Sequence, residues 1–137
     1  DNGVDGTVLS LRVYDGRLIA GGEFETVNGL SIAGVARWNG LSWSSLGTGL
    51  TSETGVTVSA VGVVGGDLYV GGDFDSAGGL PTRNIARWNQ VDGWRPLGSG
   101  IDGEILALTE FNGDAVIGGM FESAGGRTSR NVARWTP

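Results

Sequence analysis

Leu68-Tyr69-Val70-Gly71-Gly72-Asp73-Phe74 is a short β-prone run closed by a glycine pair, and the chain writes it three times. Leu18-Ile19-Ala20-Gly21-Gly22-Glu23-Phe24 comes before it, and Ala115-Val116-Ile117-Gly118-Gly119-Met120-Phe121 after it. Each run leads to an Arg-Trp phrase: Val35-Ala36-Arg37-Trp38-Asn39, Ile85-Ala86-Arg87-Trp88-Asn89 and Val132-Ala133-Arg134-Trp135. The glycine pairs lie 50 and then 47 residues apart (21 to 71, 71 to 118), and the Arg-Trp pairs keep those intervals. A period of roughly 40–50 residues built from short strands is the mark of β-propeller blades. No segment sustains the 3.6-residue apolar period of a helix.

Outward from the glycine pair, each unit reads as four strands. The first is Val8–Tyr14, where Leu9, Leu11 and Val13 alternate onto one face. Asp15-Gly16, Gly65-Gly66 and Asn112-Gly113 then hold one shared place. Such dipeptides accept positive φ at both central positions of a type I′ turn, so a tight hairpin joins the first strand to the second, Arg17–Gly22. A Gly/Ser/Thr-rich loop of about ten residues follows. The third strand is Gly34–Trp38, and the fourth is Trp43–Leu46 or Trp94–Leu97. Residues 1–7 read as the end of a preceding unit, 8–50 as the first blade, 51–104 as the second with its linkers, and 105–137 as a third with three strands. Asp1-Asn2-Gly3-Val4 matches Gly98-Ser99-Gly100-Ile101, and Trp135-Thr136-Pro137 stops where a third Trp-x-x-Leu strand is expected. A closed propeller needs at least four blades. Three therefore require company, either further blades of the same protein or a second copy of the chain.

Composition agrees with a turn-dense β protein. Glycine supplies 27 of 137 residues, far above the usual ~7%. The every-third-residue spacing of collagen is absent, and five Trp and four Phe argue against disorder. With no Cys there is neither a disulfide framework nor thiolate chemistry. All nine cations are Arg against 15 acids, and the net charge of -6 disfavours nucleic acid and anionic membranes as partners. A Ser nucleophile would find no imidazole or lysine base, which excludes a hydrolytic triad.

These residues resemble the kelch-type propellers of the galactose-oxidase-like group. That family places a glycine pair at the end of the second strand, an aromatic-polar pair at the end of the third, and a Trp a few residues on. The matching positions are Gly21-Gly22, Trp38-Asn39 and Trp43, then Gly71-Gly72, Trp88-Asn89 and Trp94, with Gly118-Gly119 and Trp135 in the third unit. Trp-Asn stands where the family has Tyr-Asp. The added phrase Gly-Gly-x-Phe-x-Ser-Ala-Gly-Gly resembles blades of long secreted bacterial proteins and of fungal cell-surface polarity markers. The resemblance implies a non-catalytic binding platform, extracellular or at the cell surface, and no cofactor, since the oxidase's His and Cys copper ligands have no counterpart here.

Comparison between the units nominates residues. Arg37, Arg87 and Arg134 are equivalent, as are Glu25, Asp75 and Glu122, so one structural Arg–carboxylate pair per unit is expected; a fork-shaped guanidinium suits a carboxylate. The alternative is that these arginines grip a ligand. The five Trp fill wedges between sheets, or else form sugar platforms as in a lectin. Asp73 and Asp75, at i and i+2, are the candidate ligands for a metal such as calcium, or an acid/base pair of a glycoside hydrolase fragment. Arg83, Asn84, Arg127, Arg130 and Asn131 lie in the loops after the second strands and form a candidate ligand face. The third strand of the last unit (Val132, Arg134, Trp135) is an edge open to strand addition. The expected function is a structural or protein-interaction module; a glycan-binding lectin with repeated sites is the alternative.

Overall fold

The computed structural model describes residues 3–137, and the reading of Asp1 and Asn2 as the end of a preceding unit lies outside the described residues. The protein is all-β, with no helix among those residues. In the first unit β1 (Val4–Tyr14), β2 (Arg17–Val27), β4 (Val35–Trp38) and β5 (Trp43–Ser44) form an antiparallel sheet in that order, with β3 (Leu30–Ser31) paired to the far end of β2. The second unit holds β6 (Leu50–Thr51), β7 (Thr57–Val64), β8 (Asp67–Asp73), β9 (Ser76–Ala77), β10 (Leu80–Pro81), β11 (Ile85–Asn89) and β12 (Gly93–Pro96). Of these, β7-β8-β11-β12 make the main sheet and β6-β9-β10 a small ribbon. In the third, β13 (Glu104–Phe111), β14 (Asp114–Met120) and β17 (Val132–Trp135) form a three-stranded sheet beside the hairpin of β15 (Ser123–Ala124) and β16 (Arg127–Thr128).

Turn chemistry sets this order. Asp15-Gly16, Gly65-Gly66 and Asn112-Gly113 all have positive φ, from 49° to 86°, as a type I′ turn requires. The loops after β2, β8 and β14 are more ordered than their composition suggests. Asn28-Gly29, Gly78-Gly79 and Gly125-Gly126 repeat the same positive-φ pair and fold each loop into a second small hairpin. In the first unit β1 starts four residues before the expected Val8, because β2 runs on past the glycine pair and offers Val4, Gly6 and Thr7 an edge.

The glycine pair has two separate jobs. Every first strand carries a bulge opposite it, skipping Leu9, Ser59 or Leu106. The backbone there comes so close that a Cβ on Gly22, Gly72 or Gly119 would overlap the carbonyl oxygen of Thr7, Thr57 or Glu104. The first glycine of each pair instead faces the next sheet. A Cβ on Gly21 would lie 2.6 Å from Val58, and one on Gly71 would lie 2.7 Å from Ile105.

Those close approaches mark where the sheets pack. β7 lies against β1 and β2, and β13 lies against β7 and β8. Ile19, Val35 and Leu46 of the first unit share one buried cluster with Val58, Val61, Leu68, Val70, Trp88 and Trp94 of the second. Tyr69, Ile85 and Leu97 of the second then share another with Ile105, Ala115, Ile117 and Ala133 of the third. These two cores are thus built between successive units, while a smaller cluster of Phe24, Val27, Ile32 and Ala36 lies within the first. A single sheet could not hide both of its faces.

Candidate functional site

The arginines find other carboxylates than those expected. Arg87 donates to Asp67 at 3.4 Å, and Arg134 donates to Asp114. Arg37 donates to Ser44 Oγ (3.1 Å) and to Gln90 Oε1 of the second sheet (3.0 Å). The pairs Arg37–Glu25, Arg87–Asp75 and Arg134–Glu122 are therefore corrected, and strand register is the reason. Arg87 stands opposite Tyr69, so Asp67 is two residues away on the same face. Asp75 is six residues the other way, roughly 20 Å along a strand. The equivalent of Asp67 and Asp114 in the first unit is Arg17, which leaves Arg37 to pair with neutral groups.

Asp114 is almost wholly buried while Arg134 is exposed. Replacing Arg134 with alanine strands that carboxylate and should cost about 1–3 kcal/mol. Arg37→Ala removes only exposed neutral contacts and should change stability by under about 0.5 kcal/mol. Urea melts of the two variants give the comparison, and equal losses would contradict this assignment.

The candidate ligand face divides. Asn84 and Asn131 serve the backbone at positive φ. The Asn84 carbonyl accepts from Phe74 N–H, and its amide donates to Ile101 O (3.1 Å) and Gly103 O (2.9 Å). Asn131 accepts from Phe121 N–H (3.2 Å). These two are structural braces, a correction that follows from the left-handed backbone, which Asn tolerates better than most residues. Arg83, Arg127 and Arg130 are all exposed, and Arg127 borders a cavity described below.

Asp73 and Asp75 are both exposed, and Asp75 accepts from Glu53 N–H at 3.0 Å. Among the described residues no three His, Cys, Asp or Glu side chains are grouped to hold a metal ion. Asp5, Glu23, Glu25 and Asp73 instead border a wide polar groove between the first two units. Asp102 caps the loop of the third unit, and hydrogen bonds from the Ser123 backbone and hydroxyl hold its carboxyl below the ordinary aspartate value. Its equivalent Asp5 accepts from the Thr26 hydroxyl (2.7 Å). The Tyr69 hydroxyl lies in the second inter-sheet core; burial pushes its pKa up, against the opposing pull of Arg87.

Trp88 and Trp94 are buried, and Trp38, Trp43 and Trp135 are half-buried. Trp88 and Trp94 meet with ring centroids 5.3 Å apart, and Trp38 and Trp43 at 5.4 Å. The Trp94 indole donates to Leu46 O of the first unit at 2.7 Å.

The two flanks of the three-sheet stack are the distinctive surfaces. On the first sheet Val8 is 40% and Leu11 60% exposed, whereas their equivalents Val58 and Val61 are buried under the preceding unit. On the last sheet Val132 is 60% exposed, against 1% for its equivalents Val35 and Ile85. Phe111 is likewise exposed where Val64 is buried. A Cβ on Gly118 would meet nothing nearer than 3.8 Å, in contrast to Gly21 and Gly71. Among the described residues no strand pairs with the outer edge of β17, whereas β11 in the second sheet is paired on both sides. Beside that edge, between the second and third sheets, lies a cavity of about 180 Å³ lined by Leu97, Ile117, Ala124, Gly125, Ala133 and Trp135.

Neither protein-family models nor curated proteins yield a match to this chain.

Proposed function

We propose that this chain is a non-catalytic interaction module: three propeller-type blades of a secreted or cell-surface protein that work as part of a larger ring. The observation that carries the reading is the pair of open flanks. Val8 and Leu11 on one side are the residues that, one unit later, fill the place before Gly21. Gly118 and Val132 on the other side are the equivalents of the residues that receive them. One flank is thus shaped like a partner for the other, and further blades of the protein or a second copy would cover both. Two copies would give six blades, an ordinary ring size.

A lectin would need an aromatic platform, and none of the five Trp rings is fully exposed. The catalytic reading has only the exposed carboxylates of an open groove to draw on. Sedimentation at micromolar concentration tests the proposal. A particle of two copies or more is expected, and a stable single 14.1 kDa chain with a cooperative melt would contradict it. A glycan array with the same sample should stay blank.

A further inference from the structure

We infer that Arg17 and Arg37 form a receptor for a carboxylate brought by a ligand, in the place where the other two units carry an aspartate of their own. The site lies at the seam between the first two sheets, each of which has its four main strands. It therefore depends neither on a ring nor on either outer flank.

The second and third units show the satisfied version of the site. Tyr69 stands opposite Arg87, and Asp67, two residues before Tyr69, accepts from that arginine. Val116 stands opposite Arg134, and Asp114, two residues before Val116, does the same. In the first unit Ile19 stands opposite Arg37, but the residue two before it is Arg17. Diagonal neighbours on a strand pair are within reach of each other's long side chains. Two guanidinium groups thus share a place that elsewhere holds one guanidinium and one carboxylate. Arg37 is left to donate to Ser44 and Gln90. Among the described residues the ion pairs are those of Arg87 and Arg134, and Arg17 has neither an ion-pair nor a hydrogen-bond partner. Two neighbouring like charges repel, and an anion that bridges them turns that repulsion into attraction.

Both arginines line one narrow pocket, together with Tyr14, Ile19, Trp88 and Gln90. Its volume is about 10 Å³, room for roughly one water-sized atom. The second unit shows where that room comes from. Tyr69 takes the place of Ile19, its ring is fully buried, and its hydroxyl feels the charges of both Arg87 and Asp67. The shorter Ile19 does not reach so far. Asp15 also borders the pocket, but it stands exposed in the turn after β1, where water screens its charge. The pocket's size selects the ligand. A flat carboxylate can insert one oxygen and present the other to the second guanidinium, whose planar fork matches it. A tetrahedral phosphate is too wide to enter and would stay at the mouth.

The probes are acetate and an aspartate blocked at both ends as amides, each titrated into the intact ¹⁵N-labelled chain against chloride at constant ionic strength. The Nε–H resonances of Arg17 and Arg37 should move and saturate, while those of Arg87 and Arg134, already paired within the chain, should stay in place. Tighter binding of the blocked aspartate points to a peptide side chain as the source of the carboxylate, and equal binding to a small free acid. Arg17→Gln should weaken binding about tenfold or more, the usual loss for one hydrogen bond to a charged group. Arg17→Asp rebuilds the pair of the other units; it should abolish binding and melt at or above the wild-type temperature. Shifts no larger than those with chloride would overturn the receptor, as would equal movement of all four arginines or undiminished binding to Arg17→Gln. Inorganic phosphate binding more tightly than acetate would overturn the choice of a carboxylate.

Discussion

Gly72→Ala should destabilise the chain by about 3 kcal/mol or more, the upper range for forcing atoms into a filled space, from the addition of one methyl group. The new Cβ would overlap the Thr57 carbonyl oxygen, an atom of the bulged backbone rather than the end of a flexible side chain. To make room, β7 must move away from β8, and β7 also carries Val58 and Val61 into the core shared with the first unit. The hairpin and an inter-sheet core therefore loosen together. Gly118→Ala is the matched control, also a glycine-to-alanine change within a strand, and its Cβ would meet nothing nearer than 3.8 Å. It should be neutral, or stabilising by up to about 1 kcal/mol through the lost flexibility of the unfolded chain. Denaturant melts of the two variants decide the matter, and a Gly72→Ala loss no larger than that of Gly118→Ala would sink the close-approach argument.

Enlarging Gly118 further should separate folding from association. Gly118→Leu projects a side chain from the outer face of the last sheet, and Leu11→Asp places a charge on the outer face of the first. Neither touches an inter-sheet core in the single chain, so melting of the isolated chain should stay within a few degrees. Association should weaken roughly thirtyfold or more for either change, the usual effect of disrupting one anchor residue at the centre of an interface. Together the two changes should weaken it no further once the particle is already single. Sedimentation of wild type and both variants reads this out. Unchanged association in both would mean that these flanks do not meet each other.

Much of this architecture was legible from the residues. The Asp-Gly, Gly-Gly and Asn-Gly turns placed the three main hairpins, because positive φ at two successive positions admits few residue types. The second hairpin of each unit carried the same signal in Asn28-Gly29, Gly78-Gly79 and Gly125-Gly126, but the Gly- and Ser-rich surroundings suggested an irregular loop instead. The partners of the arginines were missed because invariance across the units favoured Glu25, Asp75 and Glu122. The true acids, Asp67 and Asp114, drop out at Arg17. Register settles that pairing, and register is hidden until the bulge at Leu9, Ser59 and Leu106 is known. The division of labour within each glycine pair was hidden for a related reason. One glycine answers to its own hairpin and the other to a different sheet, and sequence periodicity does not separate the two.

Unlike flanks also give the stack a polarity. Copies that join by placing a Val8-bearing side on a Gly118-bearing side can add in one direction only, as bricks with a stud on one end and a hollow on the other. Whether such growth stops depends on the rotation from one sheet to the next: a whole number of steps per turn yields a finite particle, and any mismatch yields an endless filament. Ser59, the bulged residue of the second sheet, donates to the Ile105 carbonyl of the third, so a change there acts at the seam between two sheets and leaves both outer surfaces untouched.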